Sequence, residues 1–249
     1  MQRMDLNCDM GEGMGTDEQL MPFITSANIA CGYHAGDKNT MSQTIRLCKQ
    51  YGVAIGAHPS FPDRENFGRL ERDCTEAEVY DWVRQQVQAL QQLALHQAMV
   101  VTYIKPHGAL YNQAARSQRL AAAIAKAVKD LDPQLVVVGL SGSYLISEAE
   151  KLGLTTASEV FADRTYVDDG SLTPRSQPGA LIEDEADSIW QVLQMVTRGH
   201  VKALSGREVP LSAQTICLHG DGPKALPFAR AIRQALEKEG IAIRSFIGQ

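Results

Sequence analysis

Residues 75–112 read TEAEVYDWVRQQVQALQQLALHQAMVVTYIKPHGALYN, and the period of the apolar positions changes within them. Val79, Trp82, Val83, Val87, Leu90 and Leu93 recur at the spacing that puts them on one face of a helix over Thr75–Leu95. Thr75 and Glu78 have the spacing of a capping box, in which each side chain satisfies a backbone N–H that the first turn leaves without a partner. A β-branched run, Met99–Ile104, follows as a strand. Directly after it stand Lys105, Pro106, His107 and Gly108. The stretch therefore predicts a helix, a strand and a polar strand end.

The same alternation extends in both directions. Strands are expected at Asp5–Cys8, Ser26–Ala30, Ala54–Ala57, Leu135–Gly139, Thr155–Val160 and Gln214–Leu218, with a short eighth candidate at Ile241–Phe246. Further helices are expected over Arg119–Leu131, on the face of Leu120, Ile124, Ala127, Val128 and Leu131, and over Glu183–Thr197, on that of Ala186, Ile189, Trp190, Leu193 and Val196. Ser205–Ser212 and Asp169–Gly179 read as longer loops. Parallel strands need crossover connections, so this pattern predicts an α/β protein. Seven or eight units fit a closed or nearly closed (β/α) barrel spanning residues 1–249 as one domain. A doubly wound open sheet is the alternative, but its G-x-G-x-x-G turn is missing.

Composition narrows the function classes. The 249 residues are 44% hydrophobic and 21% charged, which suits one globular core. No apolar run approaches the length of a membrane span, and the N-terminus lacks an apolar signal core, so a cytoplasmic protein is expected. The five cysteines are widely spaced without a C-x-x-C, which suggests neither a disulfide framework nor a zinc knuckle. The net charge of −5 comes without a basic stripe, so neither nucleic acid nor membrane is the expected partner; a small molecule or another protein is.

Polar segments follow six of the strands: Asn7-Cys8-Asp9-Met10-Gly11-Glu12, Asn28 through His34 to Asp37, His58-Pro59, Lys105-Pro106-His107 with Asn112 beyond, Asp163-Arg164, and His219-Gly220-Asp221. In a barrel these ends converge at one mouth. A single histidine is usually structural, yet four of the six (His34, His58, His107 and His219) share this setting, while His96 and His200 sit near helix ends. Asp9 and Glu12 fit helix caps and an acid/base pair equally. Asp37 reads as the cap of a helix beginning near Lys38. Lys105 fits neutralisation of a phosphate or oxyanion, and also a carboxylate pair. Asp163 and Arg164 fit an ion pair or ligand contacts, and Arg64 and Arg69 are loop arginines. Cys31, with His34 three residues on, reads as a buried thiol more readily than as a nucleophile. Asp9, His58 and His107 are metal-ligand types, but no H-E-x-x-H spacing supports a metal, and no P-loop is present.

Together these segments resemble the LamB/YcsF family over nearly the whole chain. Leu70 departs from the pattern, standing where a second arginine is common after Gly68-Arg69. The resemblance implies a seven-stranded variant of the TIM barrel, akin to glycoside hydrolase and deacetylase folds. It implies ATP-dependent 5-oxoprolinase activity, with ATP as co-substrate and two further subunits, B and C, as partners. Under that resemblance Asp9, His58, Lys105 and His107 are the catalytic candidates. Asn7, Glu12, Asn28, His34, Asn112, Asp163, Arg164 and His219 are candidates for binding substrate or ATP. A divalent metal such as magnesium is compatible with these residues without being established by them. The competing expectations are a metal-dependent amide hydrolase working without ATP and a non-catalytic binding subunit.

Overall fold

The computed structural model describes residues 2–218 and 225–247. His219, with the Gly220-Asp221 that follows it, lies outside the described residues. In chain order the elements begin with β1 (Arg3–Met10), a one-turn α1 (Asp17–Leu20) and a 3-10 turn over Met21–Phe23. Then come β2 (Ser26–Ala30), α2 (Lys38–Tyr51), β3 (Ala54–His58), α3 (Glu76–His96), β4 (Val101–Ile104), α4 (Gly108–Arg116) and α5 (Gln118–Leu131). The chain continues through β5 (Val136–Leu140), α6 (Tyr144–Lys151), β6 (Thr156–Phe161), α7 (Glu185–Arg198), β7 (His200–Lys202) and β8 (Glu208–Pro210). It finishes with β9 (Thr215–Leu218), α8 (Ala225–Lys238) and β10 (Ala242–Ile243).

Strands β1 to β6 pair in order, β6 pairs with β9, and β9 closes on β1, every pairing parallel. The result is a closed seven-stranded α/β barrel. The eighth candidate strand shrinks to β10, which pairs with Arg3 and Met4 of β1 and lies outside the ring. The loop expected at Ser205–Ser212 instead contains β8, which forms an antiparallel hairpin with β7. No helix among the described residues is long and apolar enough to cross a membrane.

Local sequence sets the helix starts. Thr75 and Glu78 form the capping box, and the Asp37 side chain accepts from the Thr40 N–H at the start of α2. Outward-facing strand residues such as Leu6, Cys8, Ile29 and Ile55 pack with Ile45, Val83, Val87 and Leu90 of the helices. Each fully buried aliphatic side chain of this kind contributes about 1.5–3 kcal/mol.

Helix α7 differs from its expected face. Trp190 is 52% exposed, while Ser188 and Gln191 are buried. The Ser188 hydroxyl donates to the Ala162 carbonyl, and the Gln191 amide donates to those of Phe161 and Arg164. The helix is turned so that these polar groups satisfy the carbonyls at the end of β6, which would otherwise be buried without partners.

The lumen has two zones. Its floor is apolar: Tyr103, Val138 and Ala157 pack with Ala54, Val136, Phe246 and Ile247. Tyr103 lies so close to β3 that a Cβ on Gly56 would stand 2.1 Å from its ring. Above this floor the filling is polar, in place of the Val, Ile and Leu layers usual for such barrels.

Candidate active site at the C-terminal mouth of the barrel

Alternation along β1 places Asp5, Asn7 and Asp9 on one face, and their partners show that this face points into the lumen. Asp5, lowest of the three, accepts from the hydroxyls of Thr25, Ser26 and Thr215. Burial raises its carboxyl from 3.8 to about 6, against the opposing pull of those hydrogen bonds. The Asn7 amide donates to Glu159 Oε1 (2.9 Å) and Thr215 Oγ1 (2.7 Å), and its oxygen accepts from Asn28 (2.7 Å) and Lys105 Nζ (3.2 Å). Asn28 also donates to Asp9 Oδ1 (2.7 Å) and accepts from the Tyr103 hydroxyl (2.7 Å). Asn7 and Asn28 therefore use their amides inside the lumen, beneath Asp9 and Lys105, and not at its open face.

Lys105 crosses the barrel from β4, with Nζ 3.1 Å from Asp9 Oδ1, 2.9 Å from Glu159 Oε1 and 3.1 Å from Cys217 Sγ. Burial alone would lower its pKa. Asp9, Cys217 and Glu159 overcome that and hold the ammonium well above the usual lysine range. Both readings of this lysine from sequence thus meet one fact: it is already paired with carboxylates.

Above this layer lie three buried histidines and Glu12. His58 Nδ1 donates to the Lys105 carbonyl (2.8 Å) and His107 Nε2 to the Phe67 carbonyl (2.9 Å). Ser60 Oγ donates to the Phe61 carbonyl, so at 2.9 Å it accepts from His34 Nδ1. His58 Nε2 is 3.4 Å from Asp9 Oδ2 and 2.9 Å from His107 Nδ1. The rings of His34 and His107 stack at 3.8 Å. Burial, with neighbouring imidazoles adding to it, lowers His34 to about 2 and His107 well below the normal histidine range, so both are neutral. Glu12, His34, His58 and His107 each bring one donor atom to a common point, all within 4.8 Å of one another.

The loop over these rings depends on two glycines. A Cβ on Gly68 would stand 2.9 Å from His34 Cβ and 3.0 Å from His107 Cδ2. Gly108, at φ +53°, would bring its Cβ within 2.5 Å of the Gly68 carbonyl oxygen.

Asp9, Glu12, His58, Lys105 and His107 line the floor of a cleft of about 1130 Å3. Asn112, Arg69, Arg116, Arg164 and Arg175 line its walls. Asn112 donates to the Gly108 carbonyl (3.1 Å). Buried Arg164 donates to the carbonyls of Thr173 and Ala180, and burial lowers its pKa to about 10. Asp163 is half-buried beside it. Arg64 binds the Gly36 carbonyl. Leu70, 55% exposed, sits on the cleft rim. The Cys31 thiol is buried, pushed up to about 12 by burial, and points at the Ile29 carbonyl.

The sequence candidates Asp9, Glu12, His34, His58, Lys105 and His107 thus come together, with Asn7 and Asn28 below them and Asn112, Asp163 and Arg164 further out. Glu159 is a site residue that the strand-end pattern does not single out. Its signal is that it is the one charged residue in β6, and the structure turns Ala157, Glu159 and Phe161 to the lumen side.

Known proteins share this arrangement of the chain. The model of the LamB/YcsF family matches residues 4–249. A curated 5-oxoprolinase subunit from Geobacillus thermodenitrificans is 52% identical, with 98% of this chain and 97% of that one covered. The crystal structure of a lactam utilization protein from Thermus thermophilus superposes with a TM-score of 0.91 at 43% identity, covering 98% of this chain and 100% of that one. The peptidoglycan deacetylase PdaC from Bacillus subtilis shares the fold alone, with a TM-score of 0.52 at 10% identity over 98% and 88% of the two chains.

Proposed function

The chain belongs to the LamB/YcsF family, and from that premise we propose that it opens the ring of 5-oxo-L-proline as one of three components of an ATP-dependent 5-oxoprolinase, working with subunits B and C. Its substrates are 5-oxo-L-proline, ATP and water; its products are L-glutamate, ADP and phosphate. A five-membered lactam keeps amine and carboxyl carbon together, so ring closure competes strongly with opening. Transfer of the terminal phosphoryl group of ATP to the lactam oxygen, with ADP leaving, makes the ring carbon an imidate-like electrophile. Water adds to that carbon, the ring C–N bond breaks as its nitrogen takes up a proton, and a second water hydrolyses the resulting acyl phosphate to L-glutamate and phosphate. The chain has no P-loop, so the nucleotide is assigned to the assembled complex.

The roles follow from position. Asp9, whose Oδ2 faces His58 at the cleft floor, takes the proton from the attacking water. His58 and His107 direct ring nitrogens at the same point. Lys105 balances negative charge developing above Asp9, and Arg164 does so from the wall. Asn112 orients the lactam amide, while Asn7 and Asn28 position Asp9 and Lys105. The observation carrying this proposal is the buried Lys105–Asp9 pair next to His58, opening onto a cleft roomy enough for 5-oxoproline and a phosphoryl group.

Glutamate release from 5-oxoproline is measured with this chain alone and with its partner subunits, each with and without ATP. The expected result is ATP-dependent release by the complex, abolished by Asp9→Ala or His107→Ala in variants that remain folded. Near-normal turnover by either variant removes that residue from the mechanism. Full activity in both would leave the chain a non-catalytic binding subunit. The four convergent donors favour a second reading, metal-dependent hydrolysis of an amide without ATP. Chelator-sensitive release in the absence of nucleotide would establish it instead.

A further inference from the structure

Each of the three clustered imidazoles has one nitrogen committed to a fixed acceptor. His58 Nδ1 donates to the Lys105 carbonyl, His107 Nε2 to the Phe67 carbonyl and His34 Nδ1 to Ser60 Oγ. In rings carrying a single proton the opposite nitrogens, Nε2 of His34, Nε2 of His58 and Nδ1 of His107, then hold lone pairs and no hydrogen. Those atoms face one another and the Glu12 carboxylate. His58 Nε2 and His107 Nδ1 are 2.9 Å apart, and His34 Nε2 lies 3.2 Å from Glu12 Oε1. Both are contacts of acceptor with acceptor. One shared proton relieves only one of them; a cation at the common point relieves both.

We infer that Glu12, His34, His58 and His107 bind one divalent transition-metal ion of the zinc class. Three imidazole nitrogens and one carboxylate oxygen suit zinc, cobalt or nickel, whereas magnesium prefers oxygen ligands and retained water. The outer hydrogen bonds are those that orient metal-binding histidines and fix their tautomers. The site is also built: Phe67, at φ +56°, presents its carbonyl to His107, and only glycine fits at 68 and 108, where the loop closes over the rings. Glu12, His58 and His107 line the cleft, so an ion held there faces whatever the cleft admits.

The test uses the full chain, stripped with a chelator and dialysed, without 5-oxoproline or ATP. Zinc is titrated by calorimetry and cobalt by its ligand-field absorption, with circular dichroism monitoring the fold. The expected result is one ion per chain, undisturbed by equimolar magnesium. Glu12→Gln and His107→Gln each weaken zinc binding by about 100-fold or more, and Ser60→Ala, which releases His34, weakens it by roughly 10- to 100-fold. Should the histidine variant fail to fold, Glu12→Gln and Ser60→Ala carry the comparison. No stoichiometric uptake by the parent chain overturns the inference, as does uptake that Glu12→Gln and Ser60→Ala leave unchanged. Either failure leaves the lactam proposal standing, because neither experiment includes its substrates.

Discussion

Replacing Asp5 by asparagine should make this protein more stable at neutral pH, although Asp5 is fully hydrogen-bonded. Its carboxyl has a pKa of about 6 when folded against 3.8 for the ordinary group, because burial opposes the charge more than three hydroxyl donors favour it. Between pH 4 and 6, roughly, the native state then binds more protons at this group than the unfolded chain does. Its contribution to stability is therefore full below about pH 4 and is lost as pH rises through about 6. At about 1.4 kcal/mol per pKa unit, the loss is about 3 kcal/mol and is complete near neutrality. The Asp5→Asn variant cannot ionise there, and its amide oxygen can still accept from Thr25 and Ser26. Urea unfolding of both proteins at a series of pH values between about 4 and 8 measures the effect. The stability of the variant minus that of the parent should be small or negative at the acid end and rise by about 3 kcal/mol towards neutrality. The subtraction removes all other titrating groups. A difference independent of pH would refute the reasoning, because it would mean that Asp5 has the same pKa in both states.

Three further outcomes follow from the packing and pairing. Gly56→Ala places a methyl group against the Tyr103 ring and should destabilise the fold by about 3 kcal/mol; thermal unfolding measures it, and Gly56→Ala with Tyr103→Leu should recover part of the loss. Lys105→Met leaves the Asp9 and Glu159 carboxylates buried without their cation and should cost about 3–5 kcal/mol in urea unfolding, with partial recovery when Glu159→Gln is added. Thr75→Ala removes the capping box of α3 and should cost about 1 kcal/mol, with no change in ligand or metal binding, because Thr75 does not line the cleft.

The barrel was legible because its helices carry clear periods and their caps are local. The Thr75–Glu78 box and the Asp37 cap were readable from a few residues, and they form as expected. Less legible was the direction in which each strand face points. In a closed barrel both faces are buried, one by helices and one by the lumen, so alternation alone does not separate them. Asp5, Asn7, Asn28 and Glu159 consequently read as strand or strand-end residues, when they form a hydrogen-bonded column across the interior. The hairpin of β7 and β8 has three residues per strand, too few for any period to register. Trp190 misled for another reason: apolar residues mark a buried helix face only when no polar group is needed there, and α7 spends Ser188 and Gln191 on carbonyls of the strand end. The grouping of His34, His58 and His107 was visible as a shared setting, but their tautomers depend on carbonyls and a hydroxyl supplied from other loops.

Among the described residues, the apolar floor formed by Tyr103, Val138, Ala157 and Phe246 closes the lower end of the barrel, and the cleft opens at the C-terminal mouth. Reactants and products must share that doorway, so departure of the last molecule and arrival of the next are consecutive events. Whatever sits over the doorway sets the pace of both, and a companion chain resting on the rim would act as turnstile without touching the interior.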